Sequence, residues 1–359
     1  MTRIVLTGGG TAGHVMPHIA MLPHYRAAAW DVHYIGSAGI ERELAQRAGL
    51  PFHTIQTGKL RRYFSWQNVL DIGRLALGVL QSFFLLLRLK PQLVFSKGGF
   101  VSVPVACAAW VLRIPVVSHE SDLTPGLANR LIKPFCRLIF HAFPETARYL
   151  SGVQAEEVGI PVRQQLLEGR REEGRALCGF TGAEGPTLLF MGGSSGAERI
   201  NKCLAEILPE LVTRYSIIHL TGKGKGLPFQ HPRYKAFEYV NEGLEHLMAL
   251  ADAVVCRAGA NSLFELRALA KPMLLIPLEI ASRGDQVDNA RSFASHGWAL
   301  ILRETEMDAQ RLGTAIQNLM QESSKLQQAM LSSQLHGGSA GQIMQCLYGI
   351  LQGSSKASC

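Results

Sequence analysis

The stretch from Cys256 to Ala290, CRAGANSLFELRALAKPMLLIPLEIASRGDQVDNA, decides the fold. An apolar strand ends at its first residue, and Gly259 then permits a tight turn because it has no Cβ. Asn261 or Ser262 is expected to cap the helix that follows, and the apolar run MLLIP after Pro272 predicts a second buried strand. Strand, helix and strand in this order are typical of a parallel α/β sheet.

Polar groups follow both strands of this stretch, where an open α/β sheet binds its ligands. Glu265 falls in the first turn of the helix, and Gln286 closes the polar loop after the second strand. Backbone N–H groups, a carboxylate and a side-chain amide together suit a neutral polyol with an anion beside it. We therefore expect a nucleotide sugar here.

Length and composition favour a globular protein of two domains. The chain has 359 residues, 47% of them hydrophobic, and a single core seldom grows to that size. Its seven cysteines are scattered without a C-x-x-C motif or a secretory segment, so reduced thiols in a cytosolic protein are expected. The sequence has no HExxH motif, paired Cys/His spacing or D-x-D motif, and we expect neither a metal nor a cofactor.

A glycine loop opens the chain. Gly8, Gly10 and Gly13 follow a short buried strand and match the G-x-G-x-x-G dinucleotide pattern. A dinucleotide site also needs an acid at the end of the next strand, but that strand ends in Gly36 and Ser37, which disfavours a nicotinamide enzyme. A glycine loop at a helix N-terminus still favours an anion, commonly a phosphate.

The same theme returns near residue 188, where LLFMGG at residues 188–193 aligns with IVLTGG at residues 4–9. Two long segments that each begin with a strand, a glycine loop and a helix predict two Rossmann-like domains facing each other across a cleft. We expect these domains at residues 1–162 and 163–335, followed by a helical tail at residues 336–359 that packs back toward the first domain.

The positive charge of the chain is concentrated between Thr57 and Lys97. Seven basic residues stand there against one acid, so this segment carries a net +6 of the total +8. Within it, Phe64–Lys90 predicts a helix with a narrow polar stripe and a wide apolar face. Its apolar run is shorter than the roughly 20 residues that span a bilayer. Because the cations flank apolar residues, we expect an anionic membrane surface and no nucleic acid, with a helix covered by its own domain as the alternative.

Taken together, the motifs resemble those of the bacterial MurG family of peptidoglycan glycosyltransferases. They occur in order, from residue 4 to about residue 290, as GGGTAGHVMP, SKGGFVSVP, HESD, GIPVR, MGGSSGAERIN, CRAGANSLFE and RGDQVDNA. The resemblance implies a GT-B fold and an inverting, metal-independent hexosyltransferase. Such an enzyme moves N-acetylglucosamine from UDP-N-acetylglucosamine to the 4-hydroxyl of lipid I, the undecaprenyl-diphosphate-linked MurNAc-pentapeptide, and gives lipid II.

The same resemblance implies where the protein works. It would be a peripheral protein on the cytoplasmic side of the cell membrane, with cell-wall synthesis or division proteins among its partners. Residues 1–162 would form an acceptor and membrane-docking domain, and residues 163–335 would bind UDP-N-acetylglucosamine.

The resemblance also implies contacts with the donor. Arg163 and Ser194 would meet the diphosphate, Val240 the uracil through its backbone, Glu265 the ribose hydroxyls and Gln286 the sugar. The other substrate-binding residues that it implies are Thr11, Ala12, Gly13, Asp122, Ala260, Asn261, Ser262, Leu263 and Phe264.

Inversion needs a base that takes the proton of the acceptor hydroxyl. His14 matches the family's essential loop histidine, and its place at a helix N-terminus favours a neutral ring that can accept a proton. Glu120 is the second candidate; a capping histidine and a loop acid are the structural alternatives. Asp122 and Ala12 depart from the Asn and Gly of many members. A UDP-N-acetylglucosamine 2-epimerase and a related lipid glycosyltransferase are the alternative functions.

Overall fold

The computed structural model describes residues 1–58, 66–181, 185–192, 198–240, 242–279, 284–333 and 338–353, with the side chains of residues 66–72 outside that description. The chain divides into two compact units. Unit 1 is Met1–Val162 with Leu335–Cys359, and unit 2 is Arg163–Gln334. Each unit is built on a parallel sheet whose strands alternate with helices.

Unit 1 contains a doubly wound sheet. Its described strands are β1 (Arg3–Thr7), β2 (Asp31–Gly36), β3 (Phe52–Thr54), β4 (Leu93–Ser96), β5 (Val116–Glu120), β6 (Cys136–His141) and β7 (Gln154–Glu157). The helices among them are α1 (Ala12–Ala20), α2 (Leu22–Ala27), α3 (Ile40–Arg47), α4 (Trp66–Leu89), α5 (Ser102–Val111) and α6 (Leu127–Ile132). The strand order is β3-β2-β1-β4-β5-β6-β7. It reverses between β1 and β4, where such sheets open a crevice at the strand carboxyl ends.

Both faces of this sheet are covered, which explains the continuous apolar runs in its strands. Ile4 and Leu6 face one cluster of buried side chains, which includes Tyr25 and Phe140. Val5 faces the opposite cluster, to which α4 and α5 contribute. A parallel strand buried on both faces cannot alternate polar and apolar residues, so β1 reads as IVL without a break.

Helix α4 confirms the helix predicted at Phe64–Lys90, although Phe64 lies outside the described residues. Lys90 follows its last turn in a left-handed conformation at φ 48°, and Pro91 prevents continuation. Gly78 lets the helix approach the chain after β3, because a Cβ there would lie 2.1 Å from the carbonyl oxygen of Gln56. Gln81 strengthens this contact, since its Oε1 accepts the N–H of Gln56 at 2.7 Å.

Unit 2 contains a second parallel sheet. Its described strands are β8 (Thr187–Met191), β9 (Ser216–Leu220), β10 (Tyr234–Phe237), β11 (Ala253–Cys256), β12 (Met273–Leu275) and β13 (Ala299–Ile301). The strand order is β10-β9-β8-β11-β12-β13. Its helices are α7 (Gln164–Leu167), α8 (Arg171–Cys178), α9 (Glu198–Leu211), α10 (Leu244–Leu250), α11 (Ala260–Ala268), α12 (Asp285–Ser295) and α13 (Ala309–Ser332). The order reverses between β8 and β11, which places a second crevice at the stretch from Cys256 to Ala290.

The stretch from Cys256 to Ala290 folds as strand, helix and strand, but the predicted helix cap is wrong. Gly259, with φ −71° and ψ 129°, is the N-cap of α11, and no side chain caps the helix. Asn261 and Ser262 fall inside the first turn instead. The reason is the core: Leu263 and Leu266 are both fully buried, and this register starts the helix at Ala260.

The chain returns to unit 1 in helix α14 (Gly338–Leu351), the last helix among the described residues. Ile343 and Leu347 are fully buried in the cluster that contains Ile4 and Leu6, and Tyr348 meets the ring of Trp30 edge-on at 5.1 Å. Among the described residues, Cys107, Cys136, Cys178, Cys203 and Cys256 are free thiols, as the sequence predicts for them.

Candidate active site

The start of α11 offers backbone donors at the carboxyl end of β11. The first amides of a helix have no partner within the helix, and no side chain caps them here. A Cβ added at Gly259 would meet nothing within 4 Å, so the space before the helix is open. Among the six residues predicted to wrap the nucleotide, Leu263 and Phe264 point into the core, which leaves their backbone as the accessible part. The half-buried Asn261 and Ser262 stand in the first turn.

Arg163 and Glu265 form an ion pair beside this helix. The Nη2 atom of Arg163 lies 3.2 Å from Oε1 of Glu265, and the two side chains are 30% and 16% exposed. Burial raises the pKa of the Glu265 carboxyl above its ordinary value, while the charge of Arg163 opposes that rise. The Nε atom of Arg163 is buried without a hydrogen-bond partner, although most buried polar atoms have one.

The other predicted donor contacts lie at strand carboxyl ends of the same sheet. Gln286 is the second residue of α12, and its Oε1 accepts the N–H of Leu278 at 3.0 Å, which leaves its NH₂ group as a donor. Val240 is half-buried and follows the end of β10 by three residues. Ser194 lies outside the described residues.

Sequence reasoning missed Arg257, which joins the loops of this site. It is 7% exposed, and its Nη1 donates to the carbonyl oxygen of Ile276 at 3.1 Å, just after β12. Its Nη2 pairs with Glu304 at 2.5 Å. Arg257 thus links the chain after β11 to the chain after β12 and to a residue beyond β13. The motif CRAGANS contains this arginine, but only the fold shows which carbonyl and carboxylate it reaches.

In unit 1 a buried carboxylate accepts a hydrogen bond from the glycine loop. Glu41 on α3 is fully buried, and its Oε2 accepts the N–H of Gly10 at 3.2 Å. Its Oε1 accepts the N–H of Ser37 at 3.1 Å and also bonds that residue's hydroxyl. The N–H of Gly10 is therefore already used by an acid. This weakens the expectation that the whole loop binds a phosphate. The N-terminus of α1 remains as the candidate anion site.

Thr11 and His14 interact at the start of α1. Thr11 is the N-cap with extended backbone, and Ala12 and Gly13 form the first residues of the helix. The Oγ1 of Thr11 lies 3.0 Å from Nδ1 of His14, and the N–H of His14 donates to the carbonyl oxygen of Thr11 at 3.2 Å. His14 is half-buried, so part of its ring faces solvent at the carboxyl end of β1.

Glu120 organises the loop after β5. It is 5% exposed, and its two oxygens accept the N–H groups of Asp122 at 3.0 Å and Gly126 at 2.9 Å and the side-chain amide of Asn129 at 2.8 Å. Burial, followed by the charge of Asp122, raises the pKa of Glu120 to about 7. Asp122 is half-buried in the same loop. Because its carboxylate already accepts three hydrogen bonds, Glu120 is better suited to a structural role than to the role of general base.

Lys97 is a second residue that sequence reasoning passed over. It follows β4 and is 3% exposed, and its Nζ contacts Nδ1 of His119 at 2.6 Å and Oγ of Ser121 at 2.9 Å. The motif SKGGF showed the lysine, but its contacts come from β5, more than twenty residues away. Among the described residues, no group of three or more His, Cys, Asp or Glu side chains is placed to hold a metal ion.

Comparisons with known proteins agree with this arrangement. The model of the glycosyltransferase family 28 N-terminal domain matches residues 4–141, and that of the family 28 C-terminal domain matches residues 187–342. A UDP-N-acetylglucosamine--N-acetylmuramyl-(pentapeptide) pyrophosphoryl-undecaprenol N-acetylglucosamine transferase from Geobacillus kaustophilus is 48% identical over 359 residues, which is 99% of each chain.

Solved structures share the fold. The crystal structure of Acinetobacter baumannii MurG superposes with a TM-score of 0.77 at 22% identity and covers 98% of this chain and 100% of its own. A Listeria monocytogenes protein assigned as a UDP-N-acetylglucosamine 2-epimerase reaches a TM-score of 0.69 at 10% identity, with 98% and 97% covered. The fold alone therefore does not separate transferase from epimerase.

Proposed function

This chain belongs to the MurG family of glycosyltransferases, and from that premise we propose that it transfers N-acetylglucosamine from UDP-N-acetylglucosamine to lipid I, giving lipid II. Full-length identity of 48% to a relative that carries this activity in its name supports the reaction, and the fold is the GT-B fold of that family. The geometric observation that carries the proposal is the group formed by Arg163, Glu265 and the uncapped start of α11.

Unit 2 is proposed to bind the donor. Glu265, facing Arg163, would accept the ribose hydroxyls, and the first-turn amides of α11 would bind an oxygen-rich part of the nucleotide. The Arg163 side chain is 30% exposed, and its guanidinium would bind a diphosphate oxygen through a charge-assisted hydrogen bond. Gln286 would donate its NH₂ to a sugar hydroxyl, and Val240 would meet the base. Such donors stabilise the charge that grows on UDP as it leaves.

His14 is proposed as the base that accepts the proton of the acceptor's 4-hydroxyl. Its contact with Thr11 supports this role, because a ring whose Nδ1–H donates to the threonine oxygen carries its lone pair on Nε2. Thr11 would then hold the tautomer that the reaction needs. Glu120 is the weaker candidate, since three hydrogen bonds already occupy its carboxylate.

The membrane proposal is supported by one face of α4. Leu77, Leu80, Phe84 and Leu87 recur at helical spacing and are 46%, 53%, 60% and 45% exposed. Trp110 and Val111 are also exposed at the end of α5, which packs along α4. The basic residues Arg74, Arg88 and Lys90 are exposed beside it. Among the described residues, no helix combines the length and apolarity needed to cross a bilayer.

An exposed apolar stripe flanked by cations suits a lipid interface on the side of the membrane where lipid I presents its headgroup. We propose that the protein docks there, on the cytoplasmic face, through α4. Phe84→Ser should lower binding to anionic vesicles, while Leu331→Ser on α13, a residue 54% exposed in unit 2, serves as the matched control. Equal binding of both variants and the wild type at low salt would contradict the docking role of α4.

The test of the reaction is direct. Purified protein is incubated with labelled UDP-N-acetylglucosamine and lipid I in detergent or vesicles, and the lipid products are separated. We expect labelled lipid II and release of UDP. Formation of UDP-N-acetylmannosamine without acceptor would favour the epimerase instead, and transfer to a lipid other than lipid I would favour a related lipid glycosyltransferase.

A further inference from the structure

Lys97 lies at the point where the strand order of unit 1 reverses. It follows β4, and its backbone N–H donates to the carbonyl oxygen of Thr7 at the end of β1. A Cβ added at Gly8 would lie 3.2 Å from the Cβ of Lys97, so the lysine stem runs beside the glycine loop. The side chain is 3% exposed, and a buried ammonium is unfavourable unless charges or hydrogen bonds compensate it.

The direct partners of the Lys97 ammonium are neutral. His119 donates from Nε2 to the carbonyl oxygen of Gly159 at 2.7 Å, so its Nδ1 accepts from Nζ of Lys97 at 2.6 Å. Ser121 Oγ accepts a second Nζ–H at 2.9 Å. Burial, and then the charge of Lys97, keeps the pKa of His119 well below its ordinary value, so this ring stays neutral. The histidine and serine therefore hold the ammonium without cancelling its charge.

The compensating charges are two carboxylates of the same loop. Residues 119–122 alternate between a partner of Lys97 and an acid, reading His-Glu-Ser-Asp. Burial lowers the pKa of Lys97 to about 7, while the charges of Glu120 and Asp122 raise it. Asp122 in turn raises the pKa of Glu120, because the two acids repel each other. Among the described residues, His18 and His141 act electrostatically on His119, and His14 acts on His18.

We propose that Lys97 is a positioning residue whose ammonium balances the Glu120–Asp122 pair and so keeps Asp122 ionised and oriented as a substrate-binding group. This inference rests on the proposed function for the role of Asp122. It also explains how this chain accommodates an acid where many members of the family carry an uncharged Asn. If Lys97 only filled space, methionine, which has a similar length, could replace it. The effect of that substitution would then not depend on whether residue 122 is Asp or Asn.

The test is a double-mutant cycle with Lys97→Met and Asp122→Asn. Lys97→Met should lower kcat/KM by about 10- to 100-fold, because it leaves two neighbouring carboxylates without their cation. In the Asp122→Asn background, Lys97→Met should cost less kcat/KM than in the wild type, because one of the two carboxylates that it leaves without a cation is already removed. The acid limb of the pH profile should move to higher pH in Lys97→Met alone. Additive effects of the two substitutions, or an unmoved acid limb, would overturn the proposal.

A second measurement does not depend on catalysis. The melting temperatures of the wild type, the two single variants and the double variant should show the same coupling. Lys97→Met should lower the melting temperature less in the Asp122→Asn background than in the wild type. The control is Lys271→Met in unit 2, where a half-buried lysine donates to the carbonyl oxygens of Ala249 and Ala251. Asp122→Asn should not relieve that variant. If the wild type makes no lipid II, the proposed function fails, whereas an additive melting cycle overturns the role of Lys97.

Discussion

Replacing Glu265 by alanine tests the donor site most sharply. The carboxylate is 16% exposed and accepts from Arg163 at 3.2 Å, so it is both a ribose acceptor and the partner of a cation. Hydrogen bonds to a charged group contribute about 1.5–3 kcal/mol each, and part of that is offset because the ligand competes with Arg163. We expect Glu265→Ala to weaken UDP binding by about 1–3 kcal/mol, roughly 5- to 150-fold in Kd.

Two ligands and two variants separate the possible roles of this carboxylate. If Glu265 binds the ribose, Glu265→Ala should weaken uridine and UDP by similar factors, as measured by calorimetry for UDP and ligand-observed NMR for uridine. Arg163→Ala should weaken UDP and spare uridine, because only UDP carries phosphate. Glu245→Ala is the control, since Glu245 accepts from Gln165 at 2.9 Å elsewhere in unit 2. Unchanged uridine affinity with weakened UDP would mean that Glu265 acts only by holding Arg163.

Three further outcomes follow from unit 1. His14→Ala should fold and melt normally yet lose about 100-fold in kcat, the usual contribution of a general base; an early melting transition would indicate a structural role. Burial lowers the pKa of His18 to about 3, below its value in the unfolded chain. Protonation of His18 therefore favours the unfolded state, and the protein loses stability as the pH falls from about 6.5 toward 3. His18→Phe should therefore reduce acid unfolding, whereas the exposed His24→Phe should not; roughly 3 kcal/mol is at stake at pH 4. Gly99→Ala should destabilise by more than about 2 kcal/mol in denaturant unfolding, because φ is +79° and the new Cβ would lie 2.2 Å from the carbonyl oxygen of Gly9; a stability equal to the wild type would refute this close approach.

The alternation of strands and helices could be predicted because it depends on local pattern. Cys256, Pro272 and the apolar run after it mark the ends of β11, α11 and β12 in the sequence itself. The exact start of α11 could not be predicted from the sequence, because Asn261 and Ser262 both have a high propensity for the N-cap position. The core decided instead, since Leu263 and Leu266 must both be buried.

The missed residues share a different property. Glu41 reaches Gly10 across 31 residues, and Lys97 reaches His119 across 22. A buried charge in the sequence looks like an exposed one until the fold shows its partner. The glycine loop was therefore predicted to bind an anion from its glycines alone, although a carboxylate already occupies one of its amides.

The return of α14 to unit 1 has a consequence for how the protein is made. Tyr25, Trp30 and Ile4 belong to a core that also contains Ile343 and Leu347, which are synthesised about 300 residues later. Domains generally fold from the N-terminus during synthesis, at about 5–20 residues per second. Here the described strands of unit 2 are synthesised before α14, which completes the core of unit 1. A nascent chain stalled before residue 338 would expose the apolar side chains around Ile4 and Trp30, where a chaperone can bind, until α14 emerges from the ribosome.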